Sequence, residues 1–159
     1  MSTVKSPAYE TTLLVRDSCL CLHVQRAARA LARRFDDAFR PLGLTNGQFS
    51  LMMSLNRPEP PSMAAVASLL AMDRTTLTAA LKPLERRGLL EITADPSDRR
   101  ARLMKLTPKG RRSLARAVPI WKSTHAAIEE LLNARQLDHR QLDARGPDRL
   151  RNDLRALSS

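Results

Sequence analysis

Apolar residues recur at steps of three and four over residues 18–42, where Val24, Ala27, Ala28, Leu31, Phe35, Phe39 and Leu42 would line one side of a single long helix. The opposite side carries Arg26, Arg29, Arg33 and Arg34. Leu42-Gly43-Leu44 ends this pattern, and Thr45-Asn46-Gly47-Gln48 has the spacing of a capping box, which starts a second helix over residues 46–55. Three prolines within residues 57–61 then forbid helix and require a loop. Ser62 caps a short third helix with Met63, Val66, Leu69 and Leu70 inward, and Asp73 caps a fourth. In that fourth helix Leu77, Ala80, Leu81 and Leu84 form the inner stripe, while Thr75, Thr78, Ala79, Lys82 and Arg86 point outward and Gly88 stops the helix.

Two extended runs follow, over residues 89–94 and 100–106, separated by the turn-forming Asp95-Pro96-Ser97-Asp98. They predict a β-hairpin with a charged tip. Thr107-Pro108 opens a fifth helix whose stripe runs through Leu114, Val118, Trp121, His125, Ile128 and Leu132. Gly146-Pro147 interrupts the helical pattern before a last helix with Leu150, Leu154 and Leu157 on one side. The fold class expected is mainly α with a small β-hairpin wing: a winged helix-turn-helix core, residues 45–107, flanked by dimerisation helices in residues 1–44 and 108–159. The long stripes exceed what a lone winged core can cover, which points to a homodimer.

Composition sharpens this picture. With 43% hydrophobic but 3% aromatic residues among 159, the core must come from Leu, Ala, Val and Met, which favours helices. The excess of 27 Lys and Arg over 16 Asp and Glu gives a charge of +11 and asks for a polyanion. No apolar run approaches the length of about 20 residues that spans a bilayer, and residues 1–10 lack the apolar stretch of a secretory leader, so no membrane association and a cytoplasmic location are expected. No phosphate loop, activated nucleophile or carboxylate pair suggests an enzyme, and no cofactor is implied. His23, His125 and His139 lack metal-ligand spacing, so no metal is expected.

Helix, turn, helix and hairpin, with cations on the last helix and the hairpin tip, describe a reader of double-stranded DNA. The candidate contacts are Ser62, Arg74, Thr75, Thr76, Thr78, Ala79, Lys82, Arg86, Arg99 and Arg100, with Asp95 and Asp98 placed to orient the two tip arginines. The chain resembles the MarR family at four places: Asp95-Pro96-Ser97-Asp98-Arg99-Arg100-Ala101, Leu106-Thr107-Pro108-Lys109-Gly110, Leu42-Gly43-Leu44-Thr45 and Leu84-Glu85-Arg86-Arg87-Gly88-Leu89. It departs at Ser97, where the family often has Arg. The resemblance implies a homodimeric regulator, a repressor by preference, on a near-palindromic operator, released by a small-molecule or redox signal. It also implies a crevice for a small aromatic or phenolic effector, which Arg29, Arg33, Trp121 or His125 could line. Cys21 falls where one branch of the family keeps a reactive thiol, with Cys19 as a potential partner, although the tyrosines of that branch are replaced here by Phe35 and Asn46; a small buried hydrophobe is the favoured reading of Cys21. The competing function is a helical interaction module for RNA or an acidic protein.

Overall fold

The computed structural model of the chain describes residues 6–98, 101–138 and 146–157. Helix α1 (Tyr9–Ser18) is followed by α2 (Leu20–Phe39), with Cys19 between them in extended conformation at φ −72° and ψ 105°. Sequence periodicity placed the start of one helix at residue 18 and missed α1, whose Leu14 and Val15 are exposed among the described residues. A 3-10 turn (Arg40–Leu42) closes α2, and Gly43 takes φ +61° so that the chain can reverse.

Helix α3 (Asn46–Ser54) begins with the expected capping box. The Thr45 hydroxyl accepts the Gln48 amide at 3.2 Å while the Gln48 side chain accepts the Thr45 N–H at 3.2 Å. Asp36 also accepts the Asn46 N–H at 2.6 Å, which fixes the start of α3 to α2. The proline loop leads to α4 (Met63–Leu69), capped by Ser62, and then to α5 (Arg74–Arg86), capped by Asp73. Leu69 is a correction: it is 58% exposed rather than inward, because a seven-residue helix turns its last position away from the core.

Gly88 at φ +67° ends α5 in a Schellman motif, with the Gly88 N–H donating to Glu85 and the Leu89 N–H to Leu84. Strands β1 (Leu90–Ala94) and β2 (Arg102–Leu106) pair antiparallel with Leu90 opposite Leu106 and Ile92 opposite Met104. The inner positions Leu90, Met104 and Leu106 are buried, as the two-residue period of a strand requires. The hairpin is fastened to the entry of α4, since the Met104 N–H donates to the Pro61 carbonyl at 3.2 Å and Leu103 bridges to Ser62. Helix α6 (Pro108–Asp138) then packs on α2 and α3, and α7 (Gly146–Ala156) packs on α6.

The core is built from Phe39, Leu51, Met52, Val66, Leu77, Leu81, Leu84, Leu90 and Met104, all less than 2% exposed. Burial of each contributes about 1.5–3 kcal/mol, and three of them hold one face of α5 inward. That face fixes which side of α5 looks outward. Four aromatic residues and a histidine continue the core as a stack: Phe35, Phe39, Phe49, Trp121 and His125, with adjacent ring centroids 4.8–6.4 Å apart.

Candidate nucleic-acid interface

Helix α5 presents Arg74, Thr75, Thr76, Thr78, Ala79, Lys82 and Arg86 to solvent, because Leu77, Leu81 and Leu84 at spacings of three and four occupy the core. Arg74, Thr75, Thr78, Ala79 and Lys82 line one shallow depression of about 370 Å³. Arg74 also belongs to a second groove, of about 400 Å³, walled by Ser62, Met63, Ala64 and Ala67 of α4 and by Asp98, Ala101 and Arg102 of the hairpin. The two cavities therefore share a side chain. Arg99 and Arg100 lie outside the described residues, but their neighbours Asp98 and Ala101 border the same groove as Arg74 and Ser62.

The hydroxyl groups of α5 are not equivalent. Asp73 accepts the Thr76 N–H at 2.8 Å and the Thr76 hydroxyl at 2.6 Å, so the Thr76 side chain serves the cap. These bonds, the hydroxyl first, hold the Asp73 carboxyl below the usual carboxylate range. Thr78 donates to the Arg74 carbonyl one turn back at 2.7 Å, leaving only acceptor capacity facing outward. Thr75 has no such bond among the described residues and keeps both donor and acceptor. Sequence reasoning treated the three alike, since competition for a hydroxyl from the Asp73 carboxylate or the Arg74 carbonyl is decided by local geometry.

Asp95 is committed locally as well. Its carboxylate accepts the Ser97 N–H at 2.8 Å and the Ser97 hydroxyl at 2.6 Å, which lowers its pKa and builds the hairpin turn. Ser97, the departure from the family pattern, thus binds one oxygen of the Asp95 carboxylate, while the arginines that Asp95 was expected to orient lie outside the described residues. Ser62 keeps a cap role, accepting the Ala65 N–H at 3.2 Å.

Of the residues expected to line an effector crevice, Trp121 and His125 stack at 4.8 Å, and His125 Nδ1 lies 3.7 Å from Glu129. Arg29 donates to Gln25 at 3.2 Å and Arg33 is exposed on α2. Cys21 is exposed, not buried, and its sulfur accepts from Gln25; Cys19 is half-buried at the break between α1 and α2. Arg87 was not anticipated, although it stands in the motif quoted after α5: its guanidinium reaches back 44 residues to the Gly43 carbonyl at 2.8 Å, and its own carbonyl accepts from Lys109 at 2.7 Å. Among the described residues no three His, Cys, Asp or Glu side chains group closely enough to hold a metal ion, and no helix is long and apolar enough to cross a membrane.

Comparison with known proteins gives a consistent set. The family model described as "MarR family" matches residues 44–101. The regulator TtmR of Methylorubrum extorquens (strain PA1) is 36% identical over 95 residues, covering 60% of this chain and 49% of its own. The chain spans about half to three-fifths of the curated relatives it matches. Among solved structures, the transcriptional regulator MosR of M. tuberculosis in complex with DNA is 34% identical, with 89% of this chain and 94% of that one covered at a TM-score of 0.71. The transcriptional repressor CouR bound to a 23-mer DNA duplex is 28% identical, with 99% and 100% covered at a TM-score of 0.75.

Proposed function

The chain belongs to the MarR family, and from that premise we propose that it is a homodimeric, sequence-specific regulator of transcription, acting in the cytoplasm as a repressor on a near-palindromic DNA operator. The observation that carries the proposal is the pair of cavities joined at Arg74, which brings the outward side chains of α5 and the residues flanking positions 99–100 onto one surface. A helix of this width enters a major groove, and Thr75, Thr78, Ala79 and Lys82 then meet base edges and phosphates. Arg99 and Arg100, next to Asp98 in sequence, contact the neighbouring backbone or minor groove in this reading. MosR and CouR, each solved with DNA, support the same use of the fold.

Dimerisation is supported by apolar side chains left uncovered at both ends of the chain: Leu14, Leu20, Val24 and Leu31 near the start, Leu150, Leu154 and Leu157 near the end. Residues 1–44 and 108–159 pair with a second copy in this reading, leaving residues 45–107 to DNA. Release comes from a small aromatic or phenolic effector against the Trp121–His125 stack, reached by Arg29 or Arg33, or from oxidation of exposed Cys21 with Cys19. The family's non-enzymatic character agrees with the absence of reactive groupings in the sequence.

Titration of fragmented genomic DNA in a gel shift, followed by sequencing of the retained duplexes, tests the central claim. Enrichment of a two-fold symmetric motif supports it, while uniform retention or a preference for RNA returns the chain to the class of general polyanion binders. Thermal shifts with phenolic acids, set beside peroxide treatment of wild type and Cys21→Ser, distinguish the two release signals.

A further inference from the structure

A second basic concavity lies at the other end of α5. It has a volume of about 420 Å³ and is lined by Arg87, Lys109, Arg112 and Arg116, with Ser113 on its wall and Leu42 and Leu89 as its apolar part. Lys109, Arg112, Ser113 and Arg116 follow the three-and-four spacing that places them along one side of the first turns of α6. No carboxylate is among the lining residues. Arg87 and Lys109 are held in place by main-chain carbonyls, those of Gly43 and Arg87 respectively. Arg112 and Arg116 are exposed, and their guanidinium groups, like the Ser113 hydroxyl, have no hydrogen bond or ion pair among the described residues. Four cations around one cavity that no carboxylate lines among the described residues repel one another, and main-chain bonds hold two of them there.

We propose that this groove binds a phosphate-bearing small molecule. A single carboxylate would satisfy one guanidinium and leave three cations uncompensated. A diphosphate carries several negative charges and acceptor oxygens on two centres, which suits two arginine forks set one helical turn apart, about 5–6 Å. Leu42 and Leu89 supply a surface for the uncharged body of such a ligand, and Ser113 a neutral donor. The site is separate from the DNA surface. Arg87 stands thirteen residues from Arg74, about 20 Å along the helix at 1.5 Å per residue, and the two ends contribute to different cavities. The proposal therefore stands or falls independently of operator binding.

Inorganic pyrophosphate is the probe. Calorimetric titration of the full chain in chloride buffer should show one site per chain and a raised melting temperature, with benzoate at the same concentration giving neither. Arg112→Ala combined with Arg116→Ala should weaken pyrophosphate binding about tenfold or more, as expected for loss of charge-assisted hydrogen bonds. Arg26→Ala with Arg34→Ala removes the same charge from α2 and should leave the affinity unchanged. The single variants Arg112→Gln and Arg116→Gln, which keep the apolar stems, check folding through their melting temperatures without ligand. Three results overturn the proposal: no binding beyond that produced by potassium chloride of equal ionic strength, equal weakening in the α2 variant, or a silent pyrophosphate titration while the α6 variant lowers the salt dependence of duplex DNA binding, which would give the groove to the DNA backbone.

Discussion

Replacing Gly110 by Ala should unfold this protein at a lower temperature, although helix propensity alone argues the reverse. Gly110 sits in the first turns of α6, where Ala is favoured over Gly by about 1 kcal/mol. A β-carbon at this position, however, would fall well inside contact distance of the Leu89 carbonyl oxygen, 2.9 Å from its carbon and 3.3 Å from its α-carbon. These are main-chain atoms of the residue just before β1 and cannot swing aside. The same carbonyl accepts the Thr107 N–H at 3.1 Å, and the adjacent Gly88 carbonyl accepts the Thr107 hydroxyl at 2.7 Å. Relief of the clash moves α6 away from β1 and loosens both bonds. Overpacking costs about 1–3 kcal/mol and each weakened hydrogen bond about 1 kcal/mol, so after the propensity gain the net loss is about 2–4 kcal/mol. For a chain of this length that lowers the melting temperature by about 4–16 °C. Thermal melts at fixed protein concentration measure it, with Gly47→Ala as the control, since a β-carbon there meets only the Thr45 hydroxyl at 4.0 Å. A Gly110→Ala variant as stable as wild type, or more so, would refute the packing argument.

Lys82→Ala should weaken binding to every duplex by a similar factor and reduce the slope of log affinity against log salt by about one, read by fluorescence anisotropy across a salt series. Thr75→Val, which removes the one uncommitted hydroxyl on the α5 face, should instead change the preferred sequence; a uniform loss on all sequences would contradict base readout there. Because the Thr76 bonds depress the Asp73 pKa, the cap's contribution is complete above the unfolded value of about 3.9 and is lost as pH falls through the lower folded value. Asp73→Asn, which caps without titrating, should flatten the acid limb of the urea midpoint against pH, and an unaltered limb would show that the cap does not set it. Leu154→Asp should shift the species seen by light scattering from twice the 17.8 kDa chain toward a single chain, and an unchanged mass would exclude α7 from the dimer contact.

Most of the fold was legible because its punctuation is local. The Thr45–Gln48 box, the Ser62 and Asp73 caps and the Gly88 stop each depend on neighbours within a few residues, so sequence spacing identifies them. Side-chain commitments were less legible. Whether the Thr76 and Thr78 hydroxyls face a partner or turn to the Asp73 carboxylate and the Arg74 carbonyl, and whether Ser97 donates to Asp95, depends on distances of a fraction of an ångström. Arg87 was hidden for another reason, since its partner lies 44 residues away and no periodic signal connects them. The apolar stripe through Val24 and Leu31 was legible from its spacing, and both side chains are exposed among the described residues.

The bonds of Arg87 to the turn before α3 and of Lys109 to Arg87 make the C-terminal end of α5 a fulcrum. From there to Arg74 the helix is a stiff arm of about 18 Å, so each degree of tilt at the pivot carries its far tip by about 0.3 Å. Ten degrees displaces that tip by about 3 Å, the span of one hydrogen bond, so a modest strain between α2 and α6 is enough to put every side chain along the arm out of step with the grooves it would enter.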